Sequence, residues 1–137
     1  MTTTRPDLTD RTDVIHLVDE FYDRVRADSV LNPIFDGVAR VDWGRHLPKM
    51  YDFWESVLFG KIGFKGNPLA VHRDLARRAP LTATEFNRWL QLFHVSVDAL
   101  FSGPCAEEAK LRASRIAVVM QHHIAIDRVN ALTTEGG

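Results

Sequence analysis

The feature that most restricts what this chain can fold into is its hydrophobic periodicity, which is helical almost from end to end. Apolar residues recur at steps of three and four between turn signals at Asn32-Pro33, Gly60 to Pro68, Ala79-Pro80 and Ser102-Gly103-Pro104. The spacing predicts a first helix from Asp13 to Asp28, with Thr12 as its N-cap and a stripe of Val14, Leu17, Val18, Phe21, Tyr22 and Val25. A second starts near Asp42 and carries Trp43, His46, Leu47, Met50, Phe53, Trp54, Val57 and Leu58 on one face. Pro48 falls in its second turn, where a missing N–H and a ring clash predict a local bend. Asn67 is placed to cap a short third helix with Pro68 at its first position, and Leu69, His72 and Leu75 follow at intervals of three. Thr82-Ala83-Thr84-Glu85 is a capping box that opens a fourth helix with Phe86, Trp89, Leu90, Phe93, Val97, Leu100 and Phe101 inside. The last helix begins after Pro104 and is expected to end near Asn130, on a stripe of Ala109, Ala113, Ile116, Ala117, Met120 and Ile124. No segment alternates like a strand, so the fold class is all-α.

At 137 residues the chain can bury one sizeable core but not two. Residues 13–131 are expected to form that single domain, after a flexible segment 1–12 and before a disordered tail 132–137. The net charge is −1, with no block of like sign, which argues against nucleic acid or an anionic membrane as partner. Apolar runs are only a few residues long, too short to span a bilayer, and the first twelve residues lack the apolar core of a secretory signal. A cytoplasmic location is expected.

Four polar-tipped side chains interrupt the apolar stripes: Tyr22, His46, His72 and Trp89. Histidine is only intermediate in its tendency to be buried. Any one of the four could be a core residue whose polar tip meets a nearby carbonyl; the set on four different helices points to a built site. Zinc needs three or four ligands, and the chain offers neither H-E-x-x-H nor paired C-x-x-C. Haem needs one strong ligand and an apolar slot, which Phe35, Phe53, Trp54, Phe86, Phe93 and the aliphatics can line. Donors such as Tyr22 and Trp89 then favour a bound diatomic ligand that takes on negative character. His16, His94, His122 and His123 lie at stripe edges or on wet faces. The lone Cys105 has no disulfide partner, and C-x-x-C-H is missing, so a haem here is held non-covalently.

These residues resemble the truncated haemoglobins, and specifically their third group. Phe21-Tyr22-Asp23-Arg24-Val25-Arg26 resembles the family's first pocket helix, and Pro33-Ile34-Phe35 the corner that packs on porphyrin. The run from Trp43 through His46 to Phe53-Trp54 is similar to the distal helix, and Pro68-Leu69-Ala70-Val71-His72 to the proximal segment. Phe86 to Phe93 resembles the helix that supplies a distal tryptophan. The match covers about residues 13–125, and the glycine-pair motifs of the other two groups are not present. The resemblance implies a two-over-two helical sandwich, a b-type haem and diatomic ligands. It implies His72 as iron ligand and Tyr22, His46, Trp89 and Met50 on the distal side. The haem pocket is then expected from Phe35, Phe53, Trp54, Leu69, Leu75, Phe93 and Met120.

Two functional classes follow from that reading. One is an oxygen-binding protein for transport, storage or sensing, with dioxygen, nitric oxide, carbon monoxide or cyanide as ligands. The other is a haem redox enzyme, a nitric oxide dioxygenase or peroxidase-like detoxifier served by an unidentified reductase, although no flavin or nicotinamide motif is present. A cofactor-free helical interaction module is the third reading. Arg45, Lys49, Arg73 and Arg77 are equal candidates to meet haem propionates.

Overall fold

The computed structural model describes residues 5–61, 66, 68–79 and 81–135, with the side chains of 69 and 132–135 outside that set. It contains five α-helices: α1 (Arg11–Ala27), α2 (Trp43–Phe59), α3 (Pro68–Ala76), α4 (Ala83–Leu100) and α5 (Pro104–Glu135). A single π-helical turn, Pro33–Val38, forms the corner between α1 and α2. No strand occurs among the described residues. Helix α1 packs on α2 and on α4, α4 packs on α5, and α3 sits against α5. The result is a two-over-two sandwich, α1 and α2 on one side and α4 and α5 on the other.

The predicted stripes are the buried faces. Val14, Leu17, Val18, Phe21 and Val25 of α1 meet Phe93 and Val97 of α4, all almost wholly buried. From α5 come Ala106, Ala109, Ala113 and Ala117, also fully buried. Small side chains at those steps let the long helix approach α4 closely, and each enclosed Phe or Leu stabilises the fold by about 1.5–3 kcal/mol. The capping box is formed: the Glu85 carboxylate accepts the Thr82 backbone N–H at 2.7 Å.

Three expectations are corrected, for the start of α1, the segment before it and the end of α5. Helix α1 starts earlier than predicted, because Asp10 rather than Thr12 caps it by accepting the Asp13 N–H. The segment before it is not a free extension: Leu8 is buried in the core, and Asp7 accepts from the Cys105 and Ala106 amides at the head of α5. Helix α2 runs unbroken through Pro48. Pro48 and Gly44, the residue four earlier whose carbonyl loses its partner, are both exposed, which is where a missing bond costs least. Helix α5 continues to Glu135, past the expected end near Asn130. The predicted cap Asn67 lies outside the described residues. Among those residues no helix is long and apolar enough to cross a membrane.

Candidate functional site

Between α2, α3, α4 and α5 lies a cavity of about 500 Å³, within the range of sites for sizeable organic ligands. Tyr22, His46, Met50, Phe53 and Trp54 enter its lining from α1 and α2, and Phe35 from the corner. His72 and Leu75 come from α3, Phe86 and Trp89 from α4, and Met120 from α5. Ten of the twelve expected pocket residues therefore share one cavity. The side chain of Leu69 lies outside the described set.

Phe93 is the correction. It is fully buried one turn beyond Trp89, stacked on Trp54 at 4.7 Å and on Trp89 at 5.9 Å between ring centroids. It does not face the cavity. It is the backing against which two lining tryptophans are held, and helical spacing alone does not separate a lining ring from the ring behind it.

His72 has a defined tautomer. Its Nδ1 lies 2.7 Å from the carbonyl oxygen of Pro68, one turn earlier in α3. A carbonyl can only accept, so Nδ1 carries the proton and Nε2 keeps a free lone pair. Burial holds the ring's pKa below its ordinary value, although the Pro68 carbonyl pulls the other way. A neutral imidazole whose proton is held on Nδ1 by a carbonyl has the chemistry by which Nε2 can ligate a metal.

Across the cavity His46 is pushed down to about 4, by burial first and then by the charges of His72 and Lys49. Its Nε2 is buried and meets no hydrogen-bond partner among the described residues. Such an orphan is costly in a finished core and calls for an occupant. The ring packs edge-on against Tyr22 at 5.1 Å and Trp43 at 5.6 Å. Burial raises the Tyr22 phenol well above its usual range, so it stays protonated and able to donate. Trp43, half-buried on the far side, donates through Nε1 to Asp36 at 2.8 Å and stacks on Phe35 at 6.0 Å. It thereby ties the corner to the rings of Tyr22 and His46.

The cavity lining carries a net positive charge, with Arg40, Arg45, Lys49 and Arg78 against the carboxylates Asp42 and Glu85. Arg45, itself 3.7 Å from Asp42, and Lys49 line the cavity; Arg73 makes a two-pronged pair with Asp127 at 2.7 and 2.5 Å, and Arg77, 3.9 Å from Asp74, is not among the lining residues. Arg40 and Arg78 also line the cavity and were not expected there. Arg40 sits at φ 48, a left-handed conformation uncommon for a side chain of its size, in a connection that carries no periodic signal.

Among the described residues no cluster of three His, Cys, Asp or Glu could hold a bare metal ion. The donor set fits haem instead: one imidazole with an unprotonated Nε2, apolar walls, a second imidazole whose Nε2 has no partner among the described residues, and an excess of cations for carboxylates.

A helical sandwich around an apolar slot lined by two imidazoles, one from α2 and one from α3, defines a globin-type haem protein. A sequence model of the bacterial-like globins matches residues 8–125. The group 3 truncated hemoglobin ctb of Campylobacter jejuni is 32% identical over 112 residues, covering 80% of this chain and 86% of the relative. The crystal structure of group III truncated hemoglobin from Campylobacter jejuni superimposes with a TM-score of 0.78 at 28% identity, covering 88% of this chain and 95% of the other. The chain belongs to the bacterial-like globins and, within them, to the group III truncated haemoglobins.

Proposed function

We propose that this protein holds a b-type haem non-covalently, with His72 as the proximal ligand, and reversibly binds dioxygen and other diatomic molecules on the side of His46. The observation that carries the proposal is the Nδ1–H bond from His72, a cavity-lining residue, to the Pro68 carbonyl, which fixes the ring and leaves Nε2 unprotonated. Haem, when bound, supplies an iron with one coordination position open to a small gas molecule.

The chain's own residues do the rest. Pro68 orients the His72 ring and keeps its proton on the far nitrogen. Burial keeps His46 neutral at pH 7, so it can offer either a lone pair or an N–H. Tyr22 holds its phenolic proton across the working pH range, and Trp89 adds an indole N–H to the same cavity. Phe53, Trp54, Phe86 and Met120 exclude water from the slot. Non-covalent attachment is supported by the position of Cys105, the one thiol, which sits at the head of α5 beside Asp7 and is not among the cavity-lining residues.

The gathering of Tyr22, Trp89 and His46 on one cavity also supports a second reading, a haem redox enzyme acting on nitric oxide or peroxide. Several donors slow ligand release, and slow release suits reaction better than delivery. Such turnover needs an electron donor, a reductase that remains to be identified. The test is the dioxygen dissociation rate of the reduced, haem-loaded protein and of Tyr22→Phe. Loss of a hydrogen bond to a partly charged ligand speeds release by roughly tenfold or more; an unchanged rate overturns the role of Tyr22. Nitric oxide that consumes the dioxygen-loaded form far faster than it decays alone favours the enzyme, and no acceleration favours the binder.

A further inference from the structure

Helix α3 carries His72, yet none of its described side chains is fully buried. Among the helices it packs to any extent on α5 alone. Val71, the neighbour of His72, is 64% exposed. The apolar hold that the described side chains provide lies in the last turn, where Leu75 and Ala76 pack against the cluster that includes Ala117, Met120 and Ile124 of α5. A short helix held at one end by two side chains is free to turn about its axis unless something else stops it.

A forked ion pair supplies that stop. Arg73 donates through Nε to one oxygen of Asp127 at 2.7 Å and through Nη2 to the other at 2.5 Å. Arg77 and Arg78 turn back to Asp74 of α3 itself. Among the described residues the Arg73 pair is therefore the one ion pair that joins α3 to another helix. Asp127 lies one turn beyond Ile124, which is buried in the core, so the receiving end of the fork is anchored. A bidentate guanidinium–carboxylate pair fixes direction as well as distance, which an ammonium group does not. Arg73 follows His72 directly, and consecutive helical side chains point about 100° apart. With the guanidinium held to α5, the imidazole is turned to the cavity that it lines. The two side chains are 40% and 29% exposed, so the pair adds little to global stability. What it sets is the rotation of α3.

We propose that Arg73 and Asp127 are positioning residues for the iron ligand, locking α3 on α5 in the rotation that presents His72 to the haem. The inference rests on His72 as the proximal ligand. The Pro68 carbonyl fixes the His72 ring relative to α3; the fork fixes α3 relative to the rest of the fold.

The experiment compares full-length wild type with Arg73→Ala, Arg73→Lys, Asp127→Ala and the double alanine variant. In the haem-free protein, amide hydrogen exchange over residues 68–76 should quicken about two- to fivefold in each variant, the factor an exposed ion pair commands, while exchange in α4 is unchanged. In the haem-loaded protein, loss of haem to an excess of a haem-scavenging protein should be roughly tenfold faster. The iron–histidine stretching band of the reduced form should also shift, which a general loss of stability does not cause. Arg73→Lys keeps the charge but not the fork and should behave as Arg73→Ala does. The double variant should be no worse than either single one. Exchange, haem loss and stretching band that all match the wild type overturn the proposal. So does a wild-type Arg73→Lys, because charge alone would then suffice, and so do single effects that add in the double variant. His72→Ala, measured alongside, separates this inference from the reading beneath it. If that variant keeps haem as the wild type does, the role of His72 falls and the clamp with it; if it loses haem while the Arg73 and Asp127 variants match the wild type, the clamp alone is overturned.

Discussion

At the scale of single residues the site is an arrangement of imidazoles kept neutral by their surroundings. His46 titrates near 4 because burial, reinforced by the charges of His72 and Lys49, disfavours its cation. Unfolded, it titrates near its ordinary 6.5. Between those values the unfolded chain binds more protons than the folded one, so stability is level above pH 6.5 and falls as pH drops toward 4. A shift of this size is worth up to about 3 kcal/mol for a fully enclosed ring, and roughly half that for a ring still in contact with solvent. His72, also depressed, adds a slope of the same sign. Asp7, Asp28 and Asp127 are held below 3.8 and lose their contributions at lower pH, outside this window. Urea midpoints of the haem-free protein should therefore decline from pH 6.5 to 4, and His46→Leu should flatten the decline without abolishing it. An equally steep decline in the variant would contradict the assignment.

Among the elements, α5 depends on a residue nearly a hundred positions away. Burial raises the Asp7 carboxyl, yet the amides of Cys105, Ala106 and Leu8 outweigh it and hold the group below its usual range. Asp7 thus caps a helix that begins almost a hundred residues later, at 2.9 and 2.8 Å from the two α5 amides. The close approach explains Gly103: it sits at φ 140, and a Cβ there would lie 2.6 Å from the Asp7 side chain. Asp7→Ala should cost about 1–2 kcal/mol in urea unfolding. Gly103→Ala should cost at least as much, since it strains the turn and displaces the cap; a neutral Gly103→Ala would contradict this account. Such a contact is invisible to local pattern. Capping boxes, helix faces and the four polar-tipped residues were legible because each is written within one or two turns. The Asp7 cap, the π-helical corner at Pro33–Val38 and the cations Arg40 and Arg78 depend on where distant segments meet. Phe93 fails for a related reason: periodicity assigns a residue to the inside of a helix but not to the cavity rather than the wall behind it.

For the whole molecule, the two core layers close around a cavity in which the buried His46 Nε2 meets no partner among the described residues. A haem bound to the folded chain alone raises its stability by mass action, and His72 is the residue on which that binding turns. The measurement that tests this directly is reconstitution of the haem-free wild type and of His72→Ala with haem, followed by gel filtration and absorption spectra before and after reduction and carbon monoxide. The wild type should retain about one haem per chain, with an intense Soret band that shifts sharply under carbon monoxide, and His72→Ala should lose most of its haem on the column. A colourless wild type, or a His72→Ala protein with the same retention and the same carbon monoxide spectrum, would contradict the central claim.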